Sequence, residues 1–312
     1  MAMQVEPQTI GVDVAKAELM ISVDGDAPFT LENSPATIRR WLKGLQGPLR
    51  LALESTGVFH LELACQAHRL GHEVYVIDAY RLNRYRESVG GRAKTDACDA
   101  RLLVRYLRHE HAELRPWTPP SRDYQALQRL IHRRATVVRA RTAIAQSLRE
   151  VPGLNATLHA TLRQLDRTIA AIERRIRQTL LRAGWQDHAR RCRQLEGIGP
   201  TTAAALVMAF ARGRFANSDA FIAFLGLDVR IRDSGQKRGQ RRLTKQGDPE
   251  LRRLLYLAAM QAKAQPAWRA FFERHLARGL TKVQALNVLA RKLARVAFAL
   301  MKNETDYVPK TA

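Results

Sequence analysis

Apolar and polar positions along the chain change period several times, and each change predicts an element. Residues 8–14, residues 17–23 and a stretch near Phe29–Leu31 are short apolar runs that read as neighbouring strands, with Gly25-Asp26 turning the chain between the last two. Ser34 ahead of Pro35 is a helix-start signal, and Ile38, Trp41, Leu42 and Leu45 recur at helical spacing until Gly47-Pro48 breaks the pattern. Leu49–Leu53 predicts a strand that delivers Glu54, a helix over about 58–70 ends at Gly71, and Glu73–Ile77 predicts another strand. A helix over 97–107 starts just after Thr95-Asp96. Strands alternating with helices predict an α/β layered unit.

The run PWTPP at 116–120 interrupts the pattern and marks a boundary. Two long helices follow, split by Pro152-Gly153. In the second, Leu158, Leu162, Leu165, Ile169, Ile172 and Ile176 advance by alternating fours and threes, which is a heptad seam. Leu127, Ile131, Val138, Ala145 and Leu148 form a comparable stripe on the first. An antiparallel hairpin or a coiled coil between chains would bury both. After Gly184-Trp185, Gly197-Ile198-Gly199-Pro200 precedes a helix of small residues, as in a helix-hairpin-helix turn whose backbone N–H groups approach phosphate; an ordinary tight turn has the same signature. A short helix over 219–226, a Gly- and Arg/Lys-rich loop or hairpin over 227–247, and helices over 249–263, 266–277 and 282–302 complete the chain. The expected segments are an α/β domain over 1–115, a coiled-coil connector over 116–190 and a mainly helical domain over 191–312.

Charge sharpens this picture. The 312 residues carry 52 Lys+Arg against 29 Asp+Glu, a net +23. Residues 1–100 hold 11 basic and 13 acidic side chains, residues 101–200 hold 20 and 8, and residues 201–312 hold 21 and 8. A slightly acidic first unit suits cations and the basic remainder suits phosphates, although solvated Arg-rich helix faces are the plainer reading of the middle block. No apolar run approaches the ~18 residues of a membrane span, and the opening MAMQVEPQTIGVD has no signal-peptide pattern. Cys65, Cys98 and Cys192 are too far apart for a zinc motif or a disulfide framework, which fits a reducing, cytoplasmic setting.

Four carboxylates stand out. Asp13 and Glu54 lie at strand ends, and Asp96 and Asp99 share one face at a helix start. Singly, each has an ordinary role: a solvated strand-end acid, a helix cap, an N-cap, a first-turn acid. Jointly, in this order on an α/β pattern, they match an RNase H-like nuclease arrangement. An all-oxygen set favours Mg²⁺ or Mn²⁺, and two such ions activate an attacking oxygen and stabilise a leaving one on phosphate. In the second constellation, Arg230, Arg232, Lys237, Arg238, Arg241, Arg242 and Lys245 surround Ser234-Gly235. By itself Ser234 reads as a turn residue of a phosphate-binding loop, since no neighbouring base activates it.

Together, Gly11-Val12-Asp13-Val14-Ala15-Lys16, Glu54-Ser55-Thr56-Gly57, Lys94-Thr95-Asp96-Ala97-Cys98-Asp99-Ala100, Gly197-Ile198-Gly199-Pro200, and Ser234-Gly235 with Thr244-Lys245-Gln246-Gly247-Asp248 and Leu251-Arg252 resemble the DEDD-plus-serine insertion-sequence transposases, similar also to pilin-gene invertases. The resemblance covers residues 8 to 305, although the stretch 228–233 lacks the proline that members often carry before the Ser-Gly element. It implies a RuvC-like first domain, a coiled-coil connector and a transposase domain. It implies Mg²⁺ on Asp13, Glu54, Asp96 and Asp99, and Ser234 attacking a DNA phosphate through a covalent phosphoserine; the residues themselves add the contacts to nucleic acid expected of Gly197, Gly199 and the basic loop. It also implies donor and target DNA, a bridge RNA, dimers pairing into tetramers, and a nucleoid-associated bacterial location. A basic patch of Arg81, Arg84, Arg86, Arg92 and Lys94 would add RNA contacts. A junction-resolvase-like endonuclease using water as nucleophile, and a non-enzymatic architectural protein, are the competing readings.

Overall fold

A computed structural model describes residues 7–55, 57–90, 95–230, 239 and 241–309. The chain divides into two compact units at Pro119/Pro120. The expected α/β segment falls in the first, while the connector and the helical segment fall together in the second.

In the first unit, β1 (Gln8–Val14), β2 (Glu18–Val23), β3 (Phe29–Glu32), β4 (Leu49–Glu54) and β5 (Glu73–Ile77) form one mixed sheet in the order β3-β2-β1-β4-β5. β1 pairs antiparallel with β2 and parallel with β4, and β4 pairs parallel with β5. Helices α1 (Pro35–Gly44), α2 (Leu61–Arg69), α3 (Ala79–Ser88) and α4 (Asp96–Glu110) accompany the sheet. Strand residues alternate between its two faces. Ile10, Val12, Val14, Leu49, Leu51 and Leu53 pack with Ile38 and Leu42 of α1 and Leu63 and Ala64 of α2. On the opposite face Ala52, Tyr75 and Ile77 pack with Leu82 of α3 and Leu103 and Leu107 of α4. Ser34 caps α1 as expected, its side chain accepting from Thr37 N at 3.4 Å. The α2 helix starts at Leu61, later than expected, so Glu54 does not cap it. Helix α3 was not legible in the sequence; Asp78 caps it, accepting from Tyr80 N and Arg81 N.

The second unit opens with α5 (Arg122–Ser147) and α6 (Asn155–Arg182). They form an antiparallel hairpin clasped by Arg134–Glu173, Arg141–Asp166 and Arg182–Asp123. All twenty basic residues between 101 and 200 are arginine. Then come α7 (Gln186–Arg193), α8 (Pro200–Ala211), α9 (Ser218–Phe224), a two-stranded hairpin of β6 (Val229–Arg230) and β7 (Arg242–Leu243), α10 (Pro249–Ala262), α11 (Pro266–Ala277) and α12 (Lys282–Asn303). Leu127 and Ile131 of α5 and Ile176 and Leu180 of α6 share one core with α8, α10 and α12. Farther out, Val138, Ala145, Leu162, Leu165 and Ile169 remain half-buried. Thr202–Ala209 of α8 is buried all round, which its small residues permit.

Candidate active site and nucleic-acid interface

The placement of the acids follows from strand alternation and one close approach. An ideal Cβ on Gly11 would lie 2.2 Å from Ala100 O and 2.8 Å from Val104 N, so only a glycine lets α4 press on β1 here. Gly11 pairs with Ala52 in the parallel register, putting two small residues side by side. Two positions further along each strand, on the same face, stand Asp13 and Glu54. Both are at the carboxyl ends of parallel strands. Thr95 caps α4, accepting from Cys98 N at 3.2 Å, which puts Asp96 at the first helical position and Asp99 one turn on. The helix start therefore delivers its acid pair to the same end of the sheet.

The electrostatics agree. Burial, followed by the charges of Glu54, Asp96 and Asp99, pushes the Asp13 carboxyl up to about 6. The other three predicted acids thus all act on Asp13. Among the described residues, however, no three His, Cys, Asp or Glu side chains are gathered as tightly as a metal ion requires. Asp99 in particular is engaged elsewhere: its Oδ1 accepts from Arg86 Nη2 at 2.5 Å. Arg86, expected in an exposed basic patch, is instead buried against Asp99. Sequence reasoning missed this because a charge run says nothing of which side a helix turns inward. Arg81 and Arg84 are exposed, and Arg92 and Lys94 lie outside the described residues. In chemistry the oxygen-only donor set fits a hard divalent cation, and the charges of Glu54, Asp96 and Asp99 reach Asp13.

In the second unit, Ser234, Arg232, Lys237 and Arg238 lie outside the described residues. The two strands on either side of them in sequence are described: Val229 pairs with Leu243 and Arg230 with Arg242. Beside this pair Thr244 N donates to Asp228 O at 3.0 Å, and Lys245 adopts φ 58°. Arg242 sits on β7 with Arg241 just before it, and His132 of α5 reaches Asp248 just beyond at 2.7 Å.

The Gly-Ile-Gly-Pro turn divides its glycines by role. Gly197, at φ 87°, faces α10, where a Cβ would meet Ala258 O at 2.3 Å. Gly199 is the N-cap of α8 and has open space around it. It borders a groove of about 1020 Å³ lined also by Arg177, Arg193, Leu181, Leu257 and Thr201. Other arginines around the groove are paired, Arg134 with Glu173 and Arg253 with Glu250, whereas Arg177 and Arg193 meet no acid among the described residues.

Comparison with known proteins converges with this geometry. Residues 10–152 match the family described as "Transposase", of the DEDD type of the IS110 elements, and residues 189–273 match the "Transposase IS116/IS110/IS902 family". The chain is 27% identical to the "Pilin gene-inverting protein" of Moraxella bovis, over 83% of this chain and 82% of that protein. It is 28% identical to the "Probable family 20 transposase" of Pseudomonas aeruginosa, over 96% and 98% of the two chains. A 33% identity to an IS110 insertion-element protein of Streptomyces coelicolor spans 36% of this chain and 28% of that one. The two family matches lie in order along the chain, the first running past the unit boundary and through α5, and the chain belongs to the IS110/IS116/IS902 family of insertion-sequence transposases and is a DNA transposase/recombinase.

Proposed function

We propose that this transposase cuts and rejoins DNA strands through Ser234, with divalent cations held by Asp13, Glu54, Asp96 and Asp99 on a RuvC-like first domain. The observation that carries the reading is that the carboxyl of Asp13, at the end of its strand, is raised to about 6 by burial and then by the charges of Glu54, Asp96 and Asp99. The strand order β3-β2-β1-β4-β5, antiparallel on one side of β1 and parallel on the other, supports the RuvC-like assignment. Bound Mg²⁺ or Mn²⁺ supplies positive charge that favours ionisation of the attacking hydroxyl and stabilises the departing oxygen. The Ser234 Oγ–P bond forms as one backbone P–O bond breaks, and attack by a hydroxyl of the second strand releases the serine. The phosphodiester count is conserved throughout. Arg230, Arg241, Arg242 and Lys245 flank the loop and hold phosphates, and Gly199 offers backbone N–H groups at the start of α8.

Donor and target DNA are the substrates; a bridge RNA supplies the target address, and dimers pair into tetramers around both duplexes. No helix among the described residues is long and apolar enough to cross a membrane.

The test is a strand-exchange reaction with purified protein, RNA co-purified from the host, donor and target DNA, and Mg²⁺. Denaturing gels should show a protein–DNA adduct that disappears with Ser234→Ala, and falls at least ~100-fold with Asp13→Asn, the scale of losing a catalytic group. Adduct formation by Ser234→Ala would refute the serine nucleophile. Free cleaved ends with no adduct from the wild type would favour hydrolysis by water instead.

A further inference from the structure

Arg86 is 8% exposed and Asp99 5% exposed. Arg86 Nη2 donates to Asp99 Oδ1 at 2.5 Å, and Nη1 donates to Asn83 Oδ1 at 2.9 Å. Asn83 is one turn earlier on α3, so the guanidinium is braced by its own helix while it grips an acid on α4. Burying an arginine is costly unless its charge is met, and the pair sits beside the packed face formed by Leu82, Leu103 and Tyr106. A core position between two helices needs no cation for packing. This one is directed at one member of the acidic set and engages one of its two oxygens.

We propose that Arg86 is a positioning residue of the acidic centre. Its guanidinium pins Oδ1 of Asp99 and leaves Oδ2 as the oxygen presented to a divalent cation, so that α3 fixes the direction from which Asp99 enters the set. A ligand carboxylate held through its second oxygen keeps its orientation when the ion leaves, and the ion returns to a partly formed site. The proposal rests on the reading of Asp13, Glu54, Asp96 and Asp99 as the metal set.

The test is Mn²⁺ binding to the full-length protein without nucleic acid, followed by the electron-spin-resonance signal of free Mn²⁺. Thermal melts should be taken alongside to confirm folding. Arg86→Gln should weaken Mn²⁺ binding by ~10–100-fold. Asp99→Asn should weaken it at least as much, and the double variant should be no worse than Asp99→Asn alone, because both changes remove one device. Arg86→Lys should recover part of the loss, since it restores the charge without the braced fork. If Arg86→Gln does not fold, Arg86→Lys carries the test by itself through a smaller weakening. Unchanged or tighter Mn²⁺ binding in the folded variant, or losses that simply add in the double variant, overturns the role of Arg86. A wild type that binds no Mn²⁺ overturns the metal reading and this proposal with it, a result distinct from normal wild-type binding that Arg86 leaves untouched.

Discussion

Asp13 holds its proton to about pH 6 in the folded chain because burial and three neighbouring acids oppose its charge. An ordinary aspartate gives up its proton near ~4. Between those values the folded state binds more protons than the unfolded state, so stability falls as pH rises through the window and the penalty is complete above it. In chelator, Asp13→Asn should therefore stabilise the protein at neutral pH by roughly 1 kcal/mol, a figure reduced for the solvent that reaches this half-buried carboxyl. The gain should vanish below about pH 4. Added Mg²⁺ should reverse the order, raising the melting temperature of the wild type and leaving the variant unmoved; thermal melts across pH with and without the ion check both signs. Asp13 and Glu54 were legible as strand-end acids because short apolar runs stop at them. What the sequence could not reveal was Gly11 beside Ala52. A glycine inside a strand reads as a weakness, and its purpose appears only when α4 lies across it.

At the level of elements, the docking of α4 on β1 carries the site. Gly11→Ala should cost about 3 kcal/mol in chemical denaturation, the upper range for overpacking, because the obstructing atoms are backbone and cannot swing aside. Since α4 would be displaced, Mn²⁺ binding should weaken in the same variant. Most elements were legible where a period and a cap coincide: Ser34 before Pro35, and the three terminal helices, each with a regular apolar stripe. Helix α3 escaped because AYRLNRYRES buries only Leu82 and Arg86, so apolar spacing gives almost no signal. Helix α7 escaped for the same reason, with Ala189 and Cys192 its buried residues amid arginines. The heptad stripes of α5 and α6 were legible, but not that they would meet within one chain. The cross-helix pairs Arg134–Glu173 and Arg141–Asp166 are what identify an antiparallel hairpin.

For the whole molecule, the division of charge follows the division of structure: the acidic centre belongs to the first unit and most of the positive charge to the second. Within the second, Arg177 and Arg193 meet no acid among the described residues and stand beside the open turn at Gly199. Replacing both with alanine should weaken DNA or RNA binding and flatten the slope of log K against log salt by about 2, close to one unit per lost phosphate contact. Fluorescence anisotropy over a salt series reads this directly; an unchanged slope would place the nucleic acid elsewhere. The charge segregation was legible by counting, whereas the groove was not, since its walls come from residues far apart in the chain. The absence of lysine from the middle block has its own consequence. Guanidinium groups stay protonated at any pH the fold survives, and they are no substrate for lysine acetylation. The arginine charge of that block is thus a fixed property, out of reach of amine-directed enzymes, and its pull on polyanions is loosened by competing ions.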